Sequence, residues 1–401
     1  MWQPHLIQSS RTTCLENTTE SSEWDLPTNL ASPERSLIQK LCHSPSECFG
    51  DVKSVVVKLA FGQSIEAEIF KDWNSSHLRL VRTHRLAPWL YYAISQHPEV
   101  YVNKGILENL HKDLYVETMI DAYREAHIKA ILNAMGESKI TVILLKGVYL
   151  ANWVYESPSL RMMNDIDLLV HSDDFASTKK LLLYLGYANN QYPLFENLPN
   201  PSCTFSLVDS HSLNIDLHRQ LRSMDYYYIP DELIWKEVVP SSLFGFNVYV
   251  MSPELNFIHL ILHTLNHHCL LRNWLDMVLL LLRPGFDWDR LLLLTCLAGV
   301  QRPLYWALHE LVQEWGIMPP VHVRDQLAAF EPHWLEDRVI RGQYSSLWRL
   351  VSRIRLLPGV SEKVRYLFSV MFPTRGYMEY TRGTRSRLSY IYSEIRNILT
   401  K

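Results

Sequence analysis

Two short apolar segments, 140–145 and 165–170, restrict the fold of this chain more than any other feature. Residues 140–145 (ITVILL) form an uninterrupted apolar, β-branched run, as expected of a strand buried on both faces. The run ends at Lys146-Gly147, and a helix is predicted over residues 148–155. Residues 165–170 (DIDLLV) predict a second strand, in which two acids alternate with apolar side chains. The centre of the chain is therefore expected to contain a covered β-sheet.

Helical patterns flank this centre on both sides. Residues 74–97 predict helical structure with a break at Pro88, and the chain returns to helices after residue 252. Residues 106–135 predict a long amphipathic helix whose stripe recurs at every fourth position, at Leu110, Leu114, Thr118, Ala122 and Ala126. We therefore predict an α+β, mainly helical fold, with a small sheet between two helical regions.

Changes in pattern divide the chain into four predicted segments. They are a flexible polar tail (1–31), an N-terminal helical region (32–138), an α/β core (139–250) and a C-terminal helical region (251–401). Within the core we also expect a helix that is capped by Ser172 and stops at Gly186. Residues 204–208 and 213–219 are expected to pair as a hairpin.

The composition argues against several classes of partner. Lys and Arg number 39 and Asp and Glu 42, so a net charge of −3 provides no overall attraction for nucleic acid or acidic membranes. The six cysteines include no C-x-x-C pair, which favours a reducing cytoplasm over a disulfide framework or a zinc ribbon. No apolar stretch reaches the roughly 20 residues needed to cross a bilayer. We expect a cytoplasmic protein without a secretory signal or a membrane partner.

The predicted strands bring carboxylates together. Side chains alternate along a strand, so Asp165 and Asp167 point to the same face, away from the apolar side chains. On the later strand, Asp216 and His218 share the face opposite to the apolar one. If the two strands are neighbours over a common core, Asp216 joins the first two acids. A D-x-D pair alone is common at the start of a strand, so its surroundings decide its meaning.

Clustered carboxylates favour a hard cation. Mg²⁺ or Mn²⁺ accepts carboxylate oxygens and leaves coordination sites for phosphate oxygens, as in phosphoryl transfer. The strand, turn and helix around Lys146 and Gly147 offer backbone N–H groups and a cation for a triphosphate. These features together favour a nucleotide-binding site over a chance pair of acids.

Several separated motifs resemble the polymerase-β-type nucleotidyltransferase superfamily, and within it the family of uncharacterised nucleotidyltransferases. The matching strings, in chain order, are RTHRLAPWLYYAI, LLKGVYLANWVYESPSLRMMNDIDLLV, LGYA, NIDLHRQL, SPELNFIHLILHTLNHHCLLRNWLDMVLLL and MFPTRGYMEY. The turn is Gly147-Val148, where the wider superfamily usually has Gly-Ser or Gly-Gly. The resemblance extends from about residue 32 onward and implies a small mixed sheet of the nucleotidyltransferase type.

The resemblance implies roles for individual residues. Asp165, Asp167 and Asp216 would be the catalytic, metal-binding acids, and Lys146, Gly147 and Arg161 would bind the nucleotide phosphates. The implied reaction moves a nucleoside monophosphate from an NTP, with ATP favoured, to an acceptor hydroxyl or phosphate and releases pyrophosphate. A small molecule, a peptide or a protein is favoured over RNA as the acceptor. The oligomeric state cannot be read from the residues.

Histidines form a second candidate group. His259, His263 and His267 recur every fourth residue on one helical face, but without the H-E-x-x-H pattern of many zinc sites. They are read as structural hydrogen-bonding residues, as substrate contacts or, less readily, as a zinc site. His263 and His267, together with His218, are the candidate substrate contacts.

Two other functions stay open. One is a non-catalytic nucleotide-sensing or interaction protein that retains the fold, although three intact acids argue against it. The other is a nucleic-acid-binding module, because residues 338–401 contain 13 basic residues, three acids and interleaved aromatic side chains. A solvated basic face explains the same pattern, and it is the favoured interpretation.

Overall fold

A seven-stranded mixed sheet lies at the centre of the computed structural model, in the strand order β3-β4-β5-β2-β1-β7-β6. Its strands are β1 Val142–Leu144, β2 Asp165–Val170, β3 Tyr187–Asn189, β4 Ser202–Leu207, β5 Ser210–His218, β6 Val238–Leu243 and β7 Phe246–Met251. The structure describes residues 48–66, 68–189, 202–207, 210–221, 227–266, 270–329, 354, 359–375, 378 and 385–399. The predicted tail lies outside these ranges.

The pairing of the strands combines parallel and antiparallel contacts. Strand β2 lies between β1, to which it is antiparallel, and β5, to which it is parallel. The predicted hairpin forms as the antiparallel pair β4 and β5, and β6 and β7 form a second hairpin that the sequence interpretation missed. Strand β7 joins the sheet parallel to β1. The fold is α+β, as predicted.

The central strands form because their apolar side chains are enclosed on the inner face of the sheet. Ile143, Ile166 and Ile215 are completely buried, and each belongs to a different strand. Such β-branched side chains pack well on a pleated, covered surface. Their burial leaves the alternate positions of β2 and β5 for polar side chains.

Helices surround this sheet. Before β1 they are α1 Cys48–Ala60, α2 Ser75–Thr83, α3 Ala87–Ser95 and α4 Lys104–Glu137. Within the sheet region they are α5 Lys146–Trp153, α6 Phe175–Tyr184 and α7 Asp231–Lys236, with a 3₁₀ turn at Pro158–Leu160. After β7 they are α8 Pro253–Asn266, α9 Leu271–Leu281, α10 Trp288–Ala298, α11 Gln301–Trp315, α12 Val321–Ala328, α13 Val360–Met371 and α14 Arg387–Leu399.

The local helix signals have mixed outcomes. The break predicted at Pro88 is confirmed, because α2 ends before it and Pro88 lies in the first turn of α3. The cap predicted at Ser172 is wrong, because α6 begins at Phe175 and its preceding residue, Asp174, makes no side-chain cap. The division into four segments stays a prediction.

The stripe predicted for the long helix α4 is also wrong. Thr118, Ala122 and Ala126 are exposed, whereas Glu117 and Arg124 are buried. The two buried side chains are an ion pair, with 3.3 Å between Arg124 Nη2 and Glu117 Oε1. The helix therefore turns a charged pair toward the interior, which an apolar pattern does not reveal.

No helix in the described part of the chain combines the length and the apolar character needed to cross a lipid bilayer.

Candidate active site

The parallel pairing of β2 and β5 brings the predicted acids together. Asp167 lies opposite Asp216 in the register, and Asp165 lies opposite Asn214. Strands β2 and β5 are neighbours and both bury their apolar faces, as the prediction that Asp216 joins Asp165 and Asp167 required. The acids line one cavity of about 450 Å³.

Asp167 is the most enclosed of the three acids, with only 2% of its surface exposed. Its Oδ1 lies 3.0 Å from Lys146 Nζ and 3.1 Å from His218 Nε2. Burial acts to raise the pKa of Asp167, but the charge of Lys146 and the contact with His218 hold this pKa well below its usual range. Asp167 is therefore a fixed negative charge within the cavity wall.

Asp165 has the opposite electrostatic setting. Burial, reinforced by the negative charge of Asp167, raises the pKa of Asp165 to about 6. The positive charge of Lys146 opposes this rise only in part. A carboxylate at this position is therefore costly until positive charge is brought to it.

The oxygen Oδ1 of Asp216 is buried, and no hydrogen-bond partner lies near it among the residues that the structure describes. Asp167, Asp216 and His218 each offer one atom, and these three atoms lie within 4.8 Å of one another. An orphaned carboxylate oxygen beside a second carboxylate fits a hard divalent cation such as Mg²⁺ or Mn²⁺. This group contains His218 in place of Asp165, so the ligand role of Asp165 stays a prediction.

The turn between β1 and α5 lies beside these acids. Lys146 has a backbone φ of +35°, which is uncommon for a residue with a side chain. Leu145 precedes the helix and makes no side-chain cap. No capping side chain therefore competes with a ligand for the first N–H groups of α5. This geometry suits a phosphate group, and the roles of Lys146 and Gly147 toward a nucleotide stay a prediction.

Gly147 packs closely against two side chains of the segment that precedes β2. A Cβ at this position would lie 2.7 Å from Met163 Sδ and 3.2 Å from Arg161 Nη1. The segment that leads into the acidic strand therefore lies directly against the start of α5. A side chain at position 147 would require the side chains of Met163 and Arg161 to shift.

Arg161 is held by the C-terminal helical region. Its Nε and Nη2 donate to the two carboxylate oxygens of Asp276 on α9, at 2.9 and 2.8 Å. Tyr155 also donates from its hydroxyl to Asp276, at 2.7 Å. Two of the three guanidinium nitrogens are thus occupied, and Nη1 lies nearest to Gly147. The contact of Arg161 with nucleotide phosphates stays a prediction.

Two further buried arginines hold the loop before Asp165. Arg124 on α4 donates to the carbonyl oxygen of Met163 at 2.9 Å, and Arg272 on α9 donates to that of Met162 at 2.5 Å. Sequence reasoning did not select either arginine. The sequence feature that could have identified Arg272 is its position as a charged residue in the largely apolar helical segment LRNWLDMVLLL.

The histidines occupy different places. His218 is bonded to Asp167, and both His259 and His263 line the cavity, whereas His267 lies outside the described residues. Burial, assisted by the charge of Lys146, holds the pKa of His259 well below its usual range, so this side chain is neutral. The substrate contacts predicted for His218, His263 and His267 stay predictions.

Comparison with known proteins gives the class and then the family. The class is that of the nucleotidyltransferases, enzymes that transfer nucleotidyl groups. Residues 71–316 match the family described as uncharacterised nucleotidyltransferases, which is more than half of the chain. The protein belongs to this family.

Other comparisons add little. The chain is similar to a solution structure of the antibiotic-resistance factor ANT(2'')-Ia, with 15% identity and a TM-score of 0.29. That similarity covers 47% of this chain and 91% of the other. No curated protein matches the sequence.

Proposed function

We propose that this nucleotidyltransferase moves a nucleoside monophosphate from an NTP, with AMP from ATP favoured, to a hydroxyl or phosphate oxygen of an acceptor. The acceptor oxygen forms a bond to the α-phosphorus, and the bond from that phosphorus to the β-phosphate oxygen breaks, which releases pyrophosphate. The observation that carries this proposal is the registered pairing of Asp167 with Asp216 beside Lys146. This arrangement supports binding of a polyphosphate together with a cation.

Each side chain has a distinct task in the proposed reaction. Asp167 and Asp216, with His218 beside them, would hold Mg²⁺ or Mn²⁺. The bound cation would supply positive charge to the phosphate oxygens. Lys146 would orient the triphosphate from the start of α5, and Asp165 would contribute a third negative charge. Asp216 is also suited to orienting the acceptor, because it lines the cavity.

The size of the cavity bears on the acceptor. A volume of about 450 Å³ falls within the range of roughly 300–1,000 Å³ that is usual for small-molecule sites. It favours a small molecule, or a side chain of a peptide or protein, over RNA. Free cysteines at positions 48, 203 and 296 support a reducing, cytoplasmic location.

A label-transfer experiment tests this proposal. The protein is incubated with Mg²⁺ or Mn²⁺ and each NTP, labelled either at the α- or at the γ-phosphate, together with fractions of small molecules, peptides and RNA. We expect the α-label and not the γ-label to appear on one acceptor fraction, with ATP as the best donor. Transfer of the γ-label, or no transfer from any NTP, would contradict the proposal.

Matched variants make the experiment specific to the acids. Asp167→Asn and Asp216→Asn should abolish transfer while the far-ultraviolet circular dichroism is unchanged. The control is Asp173→Asn, because Asp173 is an exposed acid just beyond the same strand. Near-normal transfer by a folded Asp167→Asn protein would exclude the metal-binding role.

A further inference from the structure

Arg272 is a buried cation with unused bonding capacity. Only 8% of its surface is exposed, and it lines the cavity that contains the acids. Its Nη1 donates to the Met162 carbonyl and its Nη2 to Asn273 Oδ1, at 2.5 and 3.3 Å. Its buried Nε has no hydrogen-bond partner among the described residues. An unsatisfied guanidinium nitrogen is costly unless a ligand accepts its hydrogen bond.

The carboxylate nearest to Arg272 along α9 is already engaged. Asp276 is bound by both Arg161 and Tyr155. Within the described ranges, Arg272 forms no ion pair of its own. Burial, reinforced by repulsion from Arg161, lowers the pKa of Arg272 to about 10. Asp276 and Asp165 lie within electrostatic range of Arg272, but neither forms an ion pair with it in the part of the chain that the structure describes.

A second arginine, Arg85, lines the same cavity from the loop between α2 and α3. Its backbone φ of +58° is in the left-handed region, which is uncommon outside glycine and is often found at functional sites. Its neighbour His84 accepts a hydrogen bond from the Leu271 N–H, at 3.1 Å between Nδ1 and N. This bond fixes the loop of Arg85 to the start of α9, one residue before Arg272.

We propose that Arg272 and Arg85 form an anion site that binds phosphate oxygens within the active-site cavity. The charge of Arg85 acts on the Arg272 guanidinium, and two cations brought this close, one from a loop and one from α9, are stabilised by a shared anion. Arginine suits phosphate because its planar fork donates two parallel hydrogen bonds.

The β- and γ-phosphates of the nucleotide are the favoured source of these oxygens, a point that rests on the proposed function. Arg272 holds Met162, and the adjoining Met163 lies against Gly147 at the start of α5. The anion site therefore adjoins the helix terminus that is suited to the triphosphate. A phosphorylated acceptor has the same chemistry and is the other possible source.

Binding of inorganic tripolyphosphate tests the site without requiring turnover. Calorimetric titration in Mg²⁺ buffer should give at least about tenfold weaker binding for Arg272→Gln, since a hydrogen bond to a charged group is lost. Arg272→Lys should fall between Arg272→Gln and the wild type, because it keeps the charge and loses the fork. The control is Arg79→Gln, which removes an exposed arginine of α2 and should not affect binding.

Arg85→Gln covers the case in which the Arg272 variants fail to fold. Arg85 is only half-buried, and its side chain makes no hydrogen bond or ion pair within the described residues, so its replacement should fold normally. We expect it to weaken tripolyphosphate binding several-fold. Unchanged binding by folded Arg85→Gln, or no binding by the wild type, would overturn the proposal.

Competition separates the two sources of phosphate. ATP should displace tripolyphosphate and adenosine should not, if the nucleotide supplies the anion. Simultaneous binding of ATP and tripolyphosphate would support the anion site and assign it to a phosphorylated acceptor. If tripolyphosphate binding depends on Arg272 while no NTP ever donates its α-label, the anion site stands and the proposed transfer reaction fails.

Discussion

Replacing Asp165 by asparagine should stabilise the metal-free protein. An acid with a folded pKa of about 6 and an ordinary value of 3.8 destabilises the fold when it is ionised. The difference between these two values corresponds to about 3 kcal/mol at most, before screening by solvent reduces it. Asparagine retains the shape of the side chain and removes both its desolvation cost and its repulsion from Asp167.

The stabilisation expected from Asp165→Asn depends on pH. Because the folded pKa of Asp165 is raised, the penalty is complete above about pH 6 and disappears as the pH falls toward 3.8. Urea unfolding in chelator should therefore show Asp165→Asn to be more stable than the wild type at pH 7.5. The advantage should fall below half of that value at pH 4.5. Addition of Mg²⁺ should stabilise the wild type more than the variant.

The result that would refute this reasoning is a loss of stability. If Asp165→Asn unfolds at lower urea than the wild type in chelator at pH 7.5, Asp165 has a structural role that outweighs its repulsion. The control is Asp173→Asn, which removes an exposed acid near the same strand and should leave stability within about 0.5 kcal/mol.

Three further predictions concern stability and binding. Asp276→Asn should cost about 3–5 kcal/mol in urea unfolding, because it leaves the buried guanidinium of Arg161 without its carboxylate, and wild-type stability would contradict this. Burial lowers the pKa of His84 to about 4, so His84 should cost the wild type about 2 kcal/mol of stability on going from pH 7.5 to pH 5, and the wild type should lose that much relative to His84→Gln over this range. Equal pH slopes for the two proteins would exclude His84 as the cause. Replacing the exposed Arg385 and Arg387 by glutamine should leave oligonucleotide affinity and its salt slope unchanged, and a smaller slope would indicate phosphate contacts.

The acidic strands could be predicted because their information is local. The alternation in DIDLLV and NIDLHRQL assigns a polar and an apolar face to each strand without knowledge of the rest of the fold. That β2 and β5 are neighbours was only a condition at that point, since pairing of distant strands depends on tertiary contacts. Strand β6 was missed because three of its six positions are exposed and it contains Pro240, whereas β7 (FNVYVM) has one exposed position and an alternating pattern that was overlooked.

The inward face of α4 could not be predicted from apolar spacing. Leu110, Glu117, Arg124 and Ile131 are buried at intervals of seven residues, about two helical turns. Two of these four are charged, and a pattern search places charged residues on the outside. Their burial depends on the Met163 carbonyl, which accepts a hydrogen bond from Arg124 and lies in a different part of the sequence.

The cationic side of the cavity was missed for a similar reason. Arg85 and Arg272 lie in separate helical regions, and neither has a spacing that marks it as a ligand. The fold brings them within electrostatic range of each other, with His84 bonded to the start of α9. Contacts of this kind are properties of the assembled fold.

The loop before Asp165 has supports that come from outside the α/β core. Arg124 reaches it from α4, and Asp276 and Arg272 reach it from α9. A core excised at residues 139–250 would retain all three acids but would lose every one of these supports. The acids therefore depend physically on helices from both flanking regions, and moving the sheet alone into another protein would not carry the site with it.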